Sequence, residues 1–89
     1  MQKIYKYEVP INLSFFHLDL PEKAQLLAFQ LQDAQPVLWA LVNTEAIIET
    51  RHFAIRGTGS AMGGWRSTDK YIGTVQIPPF VWHLFETKE

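Results

Sequence analysis

The residues best suited to chemistry lie between Arg56 and Arg66. The run Gly57-Thr58-Gly59-Ser60-Ala61-Met62-Gly63-Gly64-Trp65 holds four of the chain's five glycines, two hydroxyls and one indole between two guanidinium groups. Glycine lets successive backbone N–H groups turn into one concavity, which suits a phosphate. Thr58 and Ser60 add hydroxyl donors, and Arg56 or Arg66 supplies a fork that grips phosphate through two bonds. Trp65 offers a flat face on which a base can stack. The pattern points to an anionic, nucleotide-like small molecule. Its candidate ligand-binding residues are Arg56, Gly57, Thr58, Gly59, Ser60, Trp65 and Arg66, joined by Tyr71 and His52 from the flanking segments. Arg56, at the end of an alternating segment, is expected to be rigidly held and exposed. The plainer reading is that the glycines only make turns and Trp65 pins the loop to the body.

Other chemistries fall away. Gly57-Thr58-Gly59-Ser60-Ala61-Met62-Gly63 comes near a dinucleotide fingerprint, but its third glycine stands one residue late and no helical pattern follows. No lysine follows a glycine as a phosphate loop requires. His17, His52 and His83 lack metal-ligand spacing. The absence of cysteine removes disulfides, thiol nucleophiles and thiolate metal sites. No enzyme, metal or cofactor is expected. Trp39, Trp82 and most phenylalanines read as core, and His83 as a hydrogen-bonded core histidine.

The elements that must position the loop are mostly strands. In Ile4–Val9, Tyr5, Tyr7 and Val9 share one face while Lys6 and Glu8 take the other, and Pro10 ends the segment. Phe16, Leu18 and Leu20 alternate with His17 and Asp19. Phe53 and Ile55 alternate with His52, Ala54 and Arg56. Val37–Val42 is apolar on both faces and reads as a central strand. Tyr71–Ile77 and Phe80–Phe85 follow, separated by Pro78-Pro79. Residues 24–33 fit a helix through Ala24, Leu27, Ala28 and Leu31, and a strand through Leu27, Phe29 and Leu31. The expected fold is all-β, a small antiparallel barrel or two-layer sandwich of six to seven strands, with an α+β fold carrying one helix at 21–33 as the alternative. Residues 57–69 form the longest loop, and loops of that length are often functional.

Eighty-nine residues imply a single domain spanning 1–89, and 47% hydrophobic content suffices for a core. The net charge of −1 argues against long nucleic acid or a membrane surface as partner, although residues 51–70 carry four cationic side chains against Asp69 alone. The first residues lack the apolar stretch of a signal peptide, and no run reaches the length of a membrane span, so the expected location is the cytoplasm. A core this small favours a homo-oligomer.

Several stretches together resemble a family of short, uncharacterised phage and prophage proteins. They are Lys6-Tyr7 to Pro10, Leu38–Val42, Phe53–Gly59, and Ile72–Gln76 leading to Phe80–Glu86. The likeness covers nearly the whole chain. A Pro-Glu-Gly-Ala turn of that family corresponds to Pro21-Glu22-Lys23-Ala24, with lysine in place of glycine. The resemblance implies a strand over 24–33 and no established activity. It implies a host cytoplasm and, by analogy of class, an anti-defence role. On this reading the protein sequesters a cyclic nucleotide or related immune signal without cleaving it. The alternative is an inhibitor or adaptor that blocks a host protein.

Overall fold

The computed structural model describes residues 1–88. Seven strands follow one another: β1 (Gln2–Glu8), β2 (Phe15–Pro21), β3 (Gln25–Gln32), β4 (Gln35–Asn43), β5 (Ile48–Gly57), β6 (Lys70–Ile77) and β7 (Phe80–Thr87). They form a three-stranded sheet, β1-β4-β3, and a four-stranded sheet, β2-β5-β7-β6, antiparallel throughout. The fold is an all-β sandwich, not a closed barrel. Among the described residues there is no helix, and so none long and apolar enough to cross a membrane.

The alternation seen in the sequence sets the inner faces. Tyr7 and Val9 from β1 and its end, Phe16, Leu18 and Leu20 from β2, and Phe53 and Ile55 from β5 all point between the sheets. They meet Phe29, Leu38, Val75 and Leu84 in one cluster and Ala24, Ala40 and Val42 in a second. Tyr7, Leu18 and Leu26 pack against both clusters and make them continuous. Burial beside Tyr5 pushes the Tyr7 phenol up from its ordinary pKa. β4 is central, as its apolar run implies, yet Trp39 and Leu41 are only half-buried because the outer face of this sheet has no second layer.

Residues 21–33 contain no helix. Pro21–Ala24 is a tight turn closed by Ala24 N–H donating to Pro21 O at 3.2 Å, with Lys23 at φ 64°. Lysine here adopts the left-handed backbone that glycine favours. β3 then pairs with β4 through a two-residue hairpin in which Asp33 and Ala34 both have positive φ. A bulge between Leu26 and Ala28 turns Leu26 and Phe29 to the same inner face. The helical set Ala24, Leu27, Ala28 and Leu31 forms no common face here, since Ala24 is buried while Leu27 and Leu31 are 44% and 40% exposed.

Gly73 on β6 faces Phe29 on β3, where an added Cβ would stand 3.2 Å from Phe29 Cβ. The sheets therefore close on each other at this corner. Near the same end, Arg51 donates to both Glu86 oxygens at 2.6 and 2.8 Å and to Ala24 O at 2.6 Å. The bond to Glu86 raises the arginine's pKa further, against the opposing effect of burial.

Leu84 is fully buried on β7, whereas Ile4 is 62% exposed on β1. Leu84→Ala is expected to lower unfolding free energy by about 2–5 kcal/mol. Ile4→Ala should change it by less than about 0.5 kcal/mol. Urea denaturation of the two variants checks the assignment of the core face.

Candidate functional site

The loop that joins β5 to β6 does not project into solvent. It folds back across the outer face of the four-stranded sheet. Two of its turns are closed by their own backbone: Ser60 N–H donates to Gly57 O at 3.0 Å, and Trp65 N–H to Met62 O at 3.0 Å. The third residue of each is a glycine of positive φ, Gly59 at 85° and Gly64 at 77°. Thr58 N–H extends the β5–β7 ladder to Val81 O at 3.1 Å. These N–H groups are committed to turns and ladder, so they do not converge on a phosphate nest.

Arg56 lies differently from expectation. It is 8% exposed. Its Nη2 donates to Gly63 O at 2.7 Å, and its guanidinium carbon stands 4.8 Å from the centre of the Phe15 ring. The reason is the loop's path, which covers the strand end instead of leaving it open. Arg56 thus tethers the loop through a charge-assisted bond and a cation–π contact.

Beside this tether is a hollow of about 310 Å³ lined by Ile11, Asn12, Ser14, Ile55, Arg56, Gly57, Ser60, Ala61 and Trp82. It exists because β2 begins at Phe15 while β5 runs on to Gly57. Ile55 N–H donates to Ser14 O at 2.9 Å, the last bond between these two segments. In an antiparallel ladder the next residue to turn toward β2 is Gly57, two further on. Its N–H therefore points to the gap beside Asn12. The indole of Trp82 lies against Gly57, where an added Cβ would come within 3.4 Å of the ring and 3.2 Å of Ser60 Oγ. A backbone donor, hydroxyls, an amide and an aromatic wall are thus brought to one place, while the Arg56 guanidinium turns to the opposite face, toward Gly63 O and Phe15.

Three candidate residues, Arg56, Gly57 and Ser60, line this hollow. Thr58 faces elsewhere: its Oγ1 bonds His83 Nε2 at 2.6 Å. His83 Nδ1 bonds Thr74 Oγ1 at 2.9 Å, and Thr74 Oγ1 also bonds the Tyr71 hydroxyl. His83 is therefore hydrogen-bonded as expected, but on the outer face and not in the core. Trp65 is 49% exposed on its turn and takes no part in the hollow. Arg66 N–H donates to the Asp69 carboxylate at 3.1 Å, and its side chain is exposed. Tyr71 packs edge-on against Phe85. His52 lies across from His17, their ring centres 6.4 Å apart.

Asn12, Ser14 and Trp82 were not singled out by residue type. The signal for the first two is the β2–β5 register, which only pairing reveals. Two other hollows are as large. One, of about 330 Å³, contains the Arg51–Glu86 pair, whose charges already satisfy each other. The other, of about 360 Å³, is lined by Gln2, Glu22, Lys23 and Asn43 among others and has no aromatic wall. Among the described residues no three metal-ligating side chains come together.

Fold and site together define a small two-sheet β-sandwich with a polar hollow walled by an indole. The chain belongs to the domain-of-unknown-function family DUF7352, whose model matches residues 1–89. No curated protein and no solved structure matches it.

The tether generates a clear expectation. Arg56→Ala should cost about 1–3 kcal/mol by leaving Gly63 O and the Phe15 face without their partner. It should also speed proteolysis within 58–69. Arg66→Ala, at an exposed side chain, should change stability by less than about 0.5 kcal/mol. Denaturant melts with mapped limited proteolysis distinguish the two roles.

Proposed function

We propose that the protein is a small binding module that takes an anionic, nucleotide-like molecule in the hollow beside Gly57 and holds it without cleaving it. The observation that carries this reading is the meeting of Gly57, Ser60, Ser14 and Asn12 with the Trp82 indole around one concavity. Hydroxyl groups, an amide and the Gly57 N–H suit a phosphate, and an indole suits a base. The resemblance to short phage and prophage proteins extends the proposal: the module is an anti-defence protein, homo-oligomeric, that sequesters a cyclic nucleotide or related immune signal in the host cytoplasm. A protein-binding inhibitor is the second reading. Phe80, 60% exposed beside Trp82, favours it.

Thermal melting against cyclic and linear nucleotides tests the first reading. A true ligand at about 100 times its Kd should add about 2.7 kcal/mol, raising Tm by roughly 10 °C or more. Ser60→Ala and Asn12→Ala should each weaken titrated affinity about tenfold, equivalent to about 1.4 kcal/mol. Ligand recovered after denaturation should be unchanged. A panel without any melting shift favours the inhibitor, and recovered product would mean an enzyme.

A further inference from the structure

We infer that the free edge of β2 is a pairing surface for the β2 strand of a second copy of this chain, joined antiparallel about a twofold axis at His17. This goes beyond the ligand reading and does not depend on it.

Half of the backbone groups of β2 are already used. Ser14 and Ile55 are a hydrogen-bonded pair, so the bonds to β5 recur at Phe16, Leu18 and Leu20. Phe15, His17 and Asp19 therefore turn their N–H and C=O groups away from the sheet. β2 is an outer strand, and among the described residues no ladder lies beyond it. An unsealed edge of this kind is a template for another strand.

The other edges are managed. β3 and β6 close against each other at Phe29 and Gly73, and each carries a bulge. Bulges interrupt a ladder and turn an edge aside. β1 pairs with β4 through its odd-numbered residues, as Val9 N–H to Pro36 O and Thr44 N–H to Met1 O show. Its outward groups thus belong to Gln2, Ile4, Lys6 and Glu8, a charged edge that discourages pairing. β2 has no lysine, no bulge, and no proline before Pro21. Its one acidic side chain, Asp19, accepts the Thr50 hydroxyl at 2.8 Å.

The apolar side chains around β2 identify the occupant. Leu13 and Phe15, 48% and 52% exposed, lie at the strand's start. Ile47 and Ile48, 72% and 62% exposed, lie beside its end at the start of β5, where Ile48 pairs with Pro21. Antiparallel pairing about His17 sets Phe15 across from the partner's Asp19 and Leu13 across from the partner's Pro21. Leu13 of each copy then lies across from Pro21 of the other, with the exposed Ile48 of β5 next along the same face, and the twofold repeats this contact. Both halves of the match come from this one chain, so a second copy fits without any other sequence. All three outward residues find partners in this register, and a shift of the axis leaves some unpaired.

Sedimentation velocity and light scattering from about 1 to about 500 µM should show reversible dimers. His17→Pro removes an outward N–H that the β5 ladder does not use, so the fold tolerates it while pairing fails. This variant should stay monomeric with an unchanged circular dichroism spectrum, and His17→Ala, which keeps the N–H, should still dimerise. The chain has no cysteine, which permits a geometric test. His17→Cys should oxidise to a covalent dimer, because opposed Cα atoms stand about 5.5 Å apart in such a pair, within disulfide reach. Phe15→Cys and Asp19→Cys should crosslink when mixed and not when alone. A monomer throughout the range, dimers of His17→Pro as tight as those of the unaltered chain, or self-crosslinking of Asp19→Cys would each overturn the assignment.

Discussion

The contact of Gly73 with Phe29 governs the rest of the architecture. Two twisted sheets can pack closely at one corner only if a side chain is missing there. Gly73 supplies that gap, and the Phe29 side chain and backbone fill it. With β3 drawn against β6, no edge-to-edge ladder is needed on that side. The outer strands β1 and β2 are left at the other, unclosed side. A sandwich results where seven strands of this length might equally have curled into a barrel. The core follows from the same closure, since Phe29 reaches Leu38, Val75 and Leu84 only with the sheets in this relation.

The loop is held by a second, smaller constraint. Arg56 emerges on the outer face, where a single sheet layer would leave it in water. The loop supplies the missing layer locally, with Gly63 O as acceptor and Phe15 as an aromatic bed. A buried guanidinium needs such partners, because an unpaired charge out of water is strongly destabilising. The strand-end arginine is thus first a fastener. It borders the hollow only as a residue of β5, its side chain turned to the other face.

Much of this organisation was legible in local pattern. Period-two alternation assigned the inner faces of β2 and β5 and placed Tyr7 and Val9 inward, although Tyr5 is 38% exposed and the outward Ala54 and Arg56 are also covered. The unbroken apolar run marked β4 as central. The pattern failed where two residues' relation depends on pairing. Leu26 and Phe29 share a face because of a bulge, which alternation cannot anticipate. Asn12 and Ser14 sit beside Gly57 only through the β2–β5 register, over forty residues away in the chain. Arg56 read as exposed because its burial is produced by residues after it folding back. His83 read as core because its neighbours Trp82 and Leu84 are apolar, although a strand turns alternate residues to opposite sides.

The glycines of the loop show how composition and mechanism separate. A cluster of four invites the idea of a backbone cradle for phosphate. Only Gly59 and Gly64 use the left-handed backbone, each inside its own turn. Gly57 has an ordinary φ and is small for another reason: a side chain there would press on Ser60 Oγ and the Trp82 ring. Glycine at 57 keeps the indole against the strand and the N–H open to the gap where β2 has not yet begun. Under the proposed reading, recognition at this place rests on side chains and one backbone donor held between two strands. A rigid wall of that kind orients a ligand with less ordering entropy than a free loop would lose on closing around it.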